Sequence, residues 1–228
     1  IKKFNIPRVI IGSIDPNPKV AGKGIKALKN FGCKVIQGVL KKETDFLNRR
    51  FFTFHQKKRP YIIMKWAQTE DGFISPLTNK TNRPFWISNN LSKQKVHQWR
   101  SQEQSIMIGV QTALIDNPLL SNRLWVGENP LPIIIDPYQK FAKSVKDFNL
   151  KKVNFLTIKF KKNKKVEKQS LIPTKDILNQ LFEMDIQSII IEGGAKTLQP
   201  FIDTDLYDEA RIFRTNEKLN EGLLAPKI

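Results

Sequence analysis

One cysteine and two histidines are all the thiol and imidazole that these 228 residues supply. A disulfide framework needs cysteine pairs, so none forms within the chain. A Cys/His zinc site is excluded with it, because Cys33, His55 and His97 stand in no ligand spacing. So few thiols suit the reducing cytoplasm. Long apolar runs are missing too. Val9-Ile10-Ile11, Ile62-Ile63-Met64 and Ile189-Ile190-Ile191 fall far short of the ~20 residues that span a bilayer. Ile1-Lys2-Lys3-Phe4 has no apolar stretch, so no signal peptide is expected, and both ends read as cut. The dinucleotide fingerprint G-x-G-x-x-G does not occur. Gly22-Lys23-Gly24 lacks its third glycine and follows a strand only after a long loop, and there is no Walker A loop.

Acidic residues are scarce: 39 Lys and Arg face 21 Asp and Glu, a net charge of +18. Residues 1–59 hold 15 of the cations against 3 acids. A nucleic-acid partner is one reading of such charge. The lysines, however, are scattered along helices and loops rather than interleaved with aromatics. The densest run, Lys159 to Lys168, reads as a solvated loop. A basic surface equally suits a small ligand carrying several phosphates.

Strand-like and helix-like segments alternate. Strands are expected at 8–14, 34–40, 61–68, 105–109, 132–136, 153–158, 188–192 and 209–214. Helices are expected at 24–31, 44–55, 91–102, 174–182 (capped by Thr174) and 195–202. The strands are short and almost continuously apolar, as in a parallel sheet covered on both faces, so the class is α/β. Lys57-Lys58-Arg59-Pro60 reads as a boundary between residues 1–58 and 59–228.

Three places could carry chemistry. In Ile189-Ile190-Ile191-Glu192-Gly193-Gly194 a buried strand ends in a carboxylate and two glycines before a helix. Backbone N–H groups at such a helix start can meet a phosphate, and Glu192 would stand at the mouth; a plain tight turn with a solvated Glu192 is the alternative. Lys65 lies inside the apolar run Tyr61–Gln68. A half-buried lysine needs a carboxylate or an anionic ligand, unless the strand is an edge and the lysine faces solvent. The third is a polar loop after Gly109, with Thr112, Asp116, Asn117 and Arg123. Arg100 lies just before that strand, and the two arginines could clamp a phosphate, although either alone reads as surface charge. His97 reads as a packed or surface histidine, and the four tryptophans as packing.

Taken in order, RPYIIMKWAQTEDGFIS, PFWISN, VHQWRSQEQSIMIGVQTALIDNPLLSNR, PLPIIID, SIIIEGGAKTL and DEARIF resemble the reductase domain of the bifunctional riboflavin-biosynthesis deaminase–reductases. VIIGSIDPNPKVAGKGIKALKNFGCKV and LNRRFFTFHQKKRPY resemble the end of that family's deaminase domain and its connection to the reductase. The resemblance implies a dihydrofolate-reductase-like, mostly parallel sheet with flanking helices. A partial cytidine-deaminase-like α/β/α domain would precede it. It implies NADPH as cofactor and a phosphorylated pyrimidine as substrate, the ribosyl group of 5-amino-6-(5-phosphoribosylamino)uracil being reduced to ribityl. It also implies a homo-oligomer, with no nucleic-acid or membrane partner. The family's H-x-E and Pro-Cys…Cys zinc segments do not occur here, so zinc and deamination are not expected of these residues.

By the same resemblance, Lys65 and Glu192 are the catalytic pair. Arg100, Leu120, Arg123 and Glu192 hold the substrate. Ala67, Trp86, Thr112, Asp116, Gly194, Ala195, Lys196, Thr197 and Leu198 contact the cofactor. Asp15 and Asn17 match deaminase substrate positions. Two positions depart from the family: Pro84 and Pro137 stand where a serine is frequent. The rival readings are another dihydrofolate-reductase-like pterin or pyrimidine reductase, and a basic nucleic-acid-binding module.

Overall fold

The computed structural model describes residues 1–77, 87, 89–136, 139–143, 149, 155–158 and 172–228. Trp86, Pro84, Pro137 and the lysine run 159–168 lie outside the described residues.

After a 3-10 turn at Lys2–Phe4 come β1 (Arg8–Ile11), α1 (Lys23–Asn30), β2 (Lys34–Gln37), α2 (Lys41–Leu47) and α3 (Arg49–Lys57). β1 and β2 form a two-stranded parallel sheet. The chain continues through β3 (Tyr61–Gln68), β4 (Phe73–Ser75), α4 (Asn90–Gln102), β5 (Ser105–Gly109), α5 (Val110–Asp116), β6 (Leu131–Ile135), α6 (Lys140–Lys143) and β7 (Leu156–Ile158). It ends with α7 (Thr174–Glu183), β8 (Ser188–Glu192), α8 (Ala195–Asp203), β9 (Glu209–Arg214) and β10 (Leu223–Leu224). Six strands form one sheet in the order β7-β6-β5-β8-β3-β9, and every pairing in it is parallel. β4 and β10 make a small antiparallel pair. No helix among the described residues is long and apolar enough to cross a membrane.

Both faces of the sheet are covered, which is why its strands read as apolar runs rather than alternating ones. On one face Ile62, Met64, Ile189 and Ile191 pack beneath α7 and α8 with Ile177, Leu181, Leu198 and Phe201. On the other, Ile106, Ile108 and Ile134 meet Ala113, Leu120 and Phe141, while Tyr61, Ile63 and Ile190 meet Trp99. Each fully buried isoleucine contributes roughly 1.5–3 kcal/mol.

Several expectations are corrected. The strand expected at 8–14 stops at Ile11, where Gly12 runs against the Thr44 side chain, and that expected at 34–40 stops at Gln37, because the chain turns through Gly38 and the left-handed Leu40 into α2. The single helix expected at 44–55 is two, broken at Asn48. Thr174 is the first residue of α7 and makes no cap bond; its hydroxyl meets that of Thr204. The polar loop expected after Gly109 begins as α5. β3 lies between β8 and β9, so the edge-strand reading of Lys65 falls.

Candidate active site

Parallel strands bring their carboxyl ends to one side, where ligands bind in open α/β sheets. β3 and β8 are paired so that Lys65 stands opposite Glu192. The Lys65 ammonium lies 3.9 Å from the Glu192 carboxylate, the two side chains being 17% and 12% exposed. Arg100 reaches the same carboxylate from α4, with Nε donating to Oε1 at 3.3 Å and Nη2 to Oε2 at 2.9 Å. Its Nη1 donates to the carbonyl of Ser121 at 3.1 Å. α4 is placed by Asn89, whose side chain accepts from the Ser92 N–H at 2.8 Å and caps the helix.

Burial alone would raise the Glu192 pKa. The Arg100 and Lys65 charges more than offset that and hold it at about 2, so Glu192 is an anion at neutral pH. His97 lies one helical turn before Arg100 and is 4% exposed. Its burial, then the Arg100 and Arg123 charges, lower its pKa to about 4, which keeps it neutral. Its Nδ1 is buried with no hydrogen-bond partner among the described residues. Of the two sequence readings, packed or surface, burial bears out the packed one; the reading did not place His97 beside this cluster, at which only its i, i+3 spacing from Arg100 hinted.

Arg100 is therefore committed to Glu192 and Ser121. That leaves Arg123, which is exposed and has no ion-pair partner among the described residues, as the loop's available cation. Leu120 is buried but holds φ +52, a left-handed conformation uncommon for a leucine, and it turns the loop here.

The β8–α8 junction has the features that suit a phosphate. Gly193 sits at φ +127, and a Cβ there would come within 3.1 Å of the Thr112 hydroxyl. A Cβ on Gly109 would meet the Thr197 hydroxyl at 2.5 Å. These glycines let α5 and α8 start close together beside the sheet. Gly194 caps α8 in an extended conformation with no side-chain bond, and no acid lies in the helix's first turn. Lys196 is exposed there. A cation in the first turn of a helix opposes the dipole, and an anion bound at that end would reverse the penalty. The residues present thus fit a phosphate-bearing cofactor. Ala67 is half-buried near the end of β3, and Asp116 is exposed in the last turn of α5. Asp15 and Asn17 lie in the β1–α1 loop, where Asp15 accepts from the Asn17 N–H at 2.8 Å and Asn17 from the Lys19 N–H at 3.0 Å.

A fully parallel, doubly covered sheet with a charged cluster at its carboxyl end is the arrangement of the open α/β proteins, whose ligands bind at that end. Residues 60–215 match the family described as RibD C-terminal domain, and the chain belongs to that family. It is 36% identical over 98% of its length to the riboflavin biosynthesis protein RibD of Aquifex aeolicus, and 37% identical over 83% to that of Actinobacillus pleuropneumoniae. It spans 65% and 54% of the length of these two relatives. Among solved structures it resembles a diaminohydroxyphosphoribosylaminopyrimidine deaminase/5-amino-6-(5-phosphoribosylamino)uracil reductase from Thermotoga maritima. That likeness has a TM-score of 0.82 at 34% identity and covers 98% of this chain and 64% of the other. Acinetobacter baumannii RibD shares the fold, with a TM-score of 0.78 at 23% identity over 98% of this chain and 65% of the other.

Proposed function

We propose that the chain is an NADPH-dependent reductase of riboflavin biosynthesis. In this reading it reduces the ribosyl group of 5-amino-6-(5-phosphoribosylamino)uracil to ribityl. The observation that carries the reading is the Lys65–Glu192–Arg100 cluster at the carboxyl ends of β3 and β8, inside the segment that matches the family. When bound, NADPH supplies a hydride.

The protein's own groups do the rest. Lys65 donates a hydrogen bond to the sugar oxygen and delivers the proton that the opening ring takes up. Glu192 stays ionised beside it and stabilises positive charge as it develops at the sugar's C1′–N bond. Arg100 fixes the carboxylate from the other side, so that it need not reorient during the reaction. Arg123, with the backbone at Leu120, meets the substrate phosphate. Gly194, Ala195 and Lys196, at the start of α8, hold the cofactor's phosphates, while Thr197 and Leu198, buried and bonded back to the Gly194 carbonyl, support that turn from behind. Thr112 and Asp116 on α5, with Ala67 and Trp86, complete its site. The same reading makes the protein a cytoplasmic homo-oligomer, with any deaminase chemistry outside these residues.

NADPH oxidation followed by absorbance tests this directly, with and without the deaminated phosphoribosylaminopyrimidine. Substrate-dependent oxidation is the expected result. Saturable NADPH binding without turnover on this substrate, but with turnover on a pterin, would shift the assignment to a related reductase. The net charge favours one other reading, a nucleic-acid binder. Duplex affinity that survives physiological salt while NADPH fails to bind would establish it in place of the reductase.

A further inference from the structure

We propose that Arg211 is a positioning residue for Lys65, acting through the rings of Trp99 and Phe213. Its kinetic arm rests on the reductase reading; its structural arm does not. Lys65 stands opposite Glu192 on β8 and opposite Arg211 on β9, so three charged residues share one row on one face of the sheet. Two of them are cations on neighbouring strands. The Lys65 and Arg211 side chains are only 17% and 11% exposed, so water does little to screen their repulsion.

Arg211 is engaged elsewhere. Its Nε donates to the Glu209 carboxylate at 2.6 Å, and its guanidinium lies 4.7 Å from the centre of the Trp99 ring. Trp99 stacks on Phe213, with centroids 5.3 Å apart and planes 27° from parallel. The Lys65 ammonium lies 5.9 Å from the centre of the Phe213 ring. A line of contacts therefore runs from Arg211 through two aromatic rings to the lysine that also faces Glu192. Cations are drawn to ring faces by the ring quadrupole, so the two end contacts are attractive, and the stacked rings join them. Trp99 precedes Arg100 on α4, so the ring that Arg211 holds belongs to the same turn as the arginine that binds Glu192.

One detail sets Arg211 apart from a surface arginine. Its Nη1 is buried and has no hydrogen-bond partner among the described residues. An unsatisfied buried donor is costly. Arg211 is therefore held in this place by stacking and by Glu209, against that cost. Without its guanidinium Trp99 loses the group that fixes its ring plane, Phe213 loses its neighbour's constraint, and Lys65 loses one wall of its seat.

The test uses Arg211→Met, which keeps an unbranched stem, and Arg211→Lys, which restores a charge without the planar fork. The chain carries 13C at lysine Cε, and Lys65 is assigned through Lys65→Arg. The ring current of Phe213 marks the Lys65 signal. In Arg211→Met that signal is expected to shift while those of exposed lysines stay in place. Turnover is expected to fall about tenfold, less than the roughly hundredfold that a full 1 Å misplacement can cost, with the KM for NADPH and the melting temperature near those of the parent. Arg211→Lys is expected to recover part of the turnover. An unmoved Lys65 signal overturns the proposal, and so does a parallel loss of turnover, melting temperature and all lysine signals, which would mark plain packing. The Lys65 signal is read without turnover, so a parent chain that fails to oxidise NADPH would sink the reductase reading and leave this inference to be decided by the spectrum.

Discussion

Two buried titrating groups flank Arg100, Glu192 from β8 and His97 one turn back on α4, and they divide the acid range between them. The pKa of Glu192 falls from 4.5 to about 2 in the fold. A depressed carboxyl contributes stability that is present above pH 4.5 and lost as the pH falls through about 2. The pKa of His97 falls from 6.5 to about 4, chiefly through burial. Here the unfolded chain binds the proton more readily, so stability is lost as the pH falls from 6.5 towards 4 and no further below that. The loss from His97 is about 3 kcal/mol at most. Urea unfolding at intervals from pH 7 to 3 should therefore show His97→Gln flattening only the upper window, and Glu192→Gln only the lower one. If either variant changes both windows equally, the two groups are not separable in this way. Activity gives a second readout. Glu192→Gln leaves Lys65 and Arg100 without their counter-charge and should cut turnover by about a hundredfold or more while the protein still binds NADPH.

Helix starts, rather than side chains, shape the β8–α8 end of the site, where the proposed cofactor would lie. Gly109→Ala would push a methyl into the Thr197 hydroxyl at 2.5 Å, at a cost of about 1–3 kcal/mol. With Thr197→Ala the nearest remaining side-chain contact is the Thr197 Cβ, at 3.7 Å. The double variant should therefore be more stable than the two single losses added together, and thermal unfolding of the four proteins measures that coupling. Additive losses would mean that the two helix starts are not packed through this pair. The same junction shows what could be read from the sequence. β8 and the start of α8 were legible because three isoleucines, a carboxylate and two glycines leave little else for the chain to do. α5 was not, because seven residues between Gly109 and Asn117 are too few to display a helical period. The break at Asn48 was hidden for the opposite reason: Leu47, Phe51 and Phe54 keep a helical spacing straight across it. Lys65 and Glu192 each stood out alone. Only the family resemblance paired them, since the contact itself follows from strand register, and Arg100 meets Glu192 across 92 positions of sequence. Trp99, Phe213 and Arg211 lie inside segments that resemble the family, but nothing in the sequence joined them, because their contacts cross from α4 to β9.

The site also depends on how the helix before the large sheet is fastened to it. Arg50 on α3 pairs with Glu103, the residue that ends α4, and the Glu103 side chain is fully buried while that of Arg50 is 25% exposed. A second tie joins Arg59 and Lys57 to Asp208, which also accepts from the Ile62 N–H at 2.9 Å and so pins the start of β3. The sheet in turn carries Lys65 and α4 carries Arg100, so both cations that flank Glu192 are moored close to these ties. Removing one partner of a buried pair leaves an uncompensated charge, whereas replacing both with apolar groups can be neutral. Arg50→Met should therefore lower the unfolding free energy by about 3 kcal/mol, and adding Glu103→Leu should recover most of it. If the tie also sets the tilt of α4, the recovered double variant will unfold like the parent but still turn over more slowly, because Arg100 will meet Glu192 at a changed angle. Equal stability and equal turnover in the double variant would instead assign the pair to stability alone and leave α4 positioned by its Asn89 cap and the packing of Trp99.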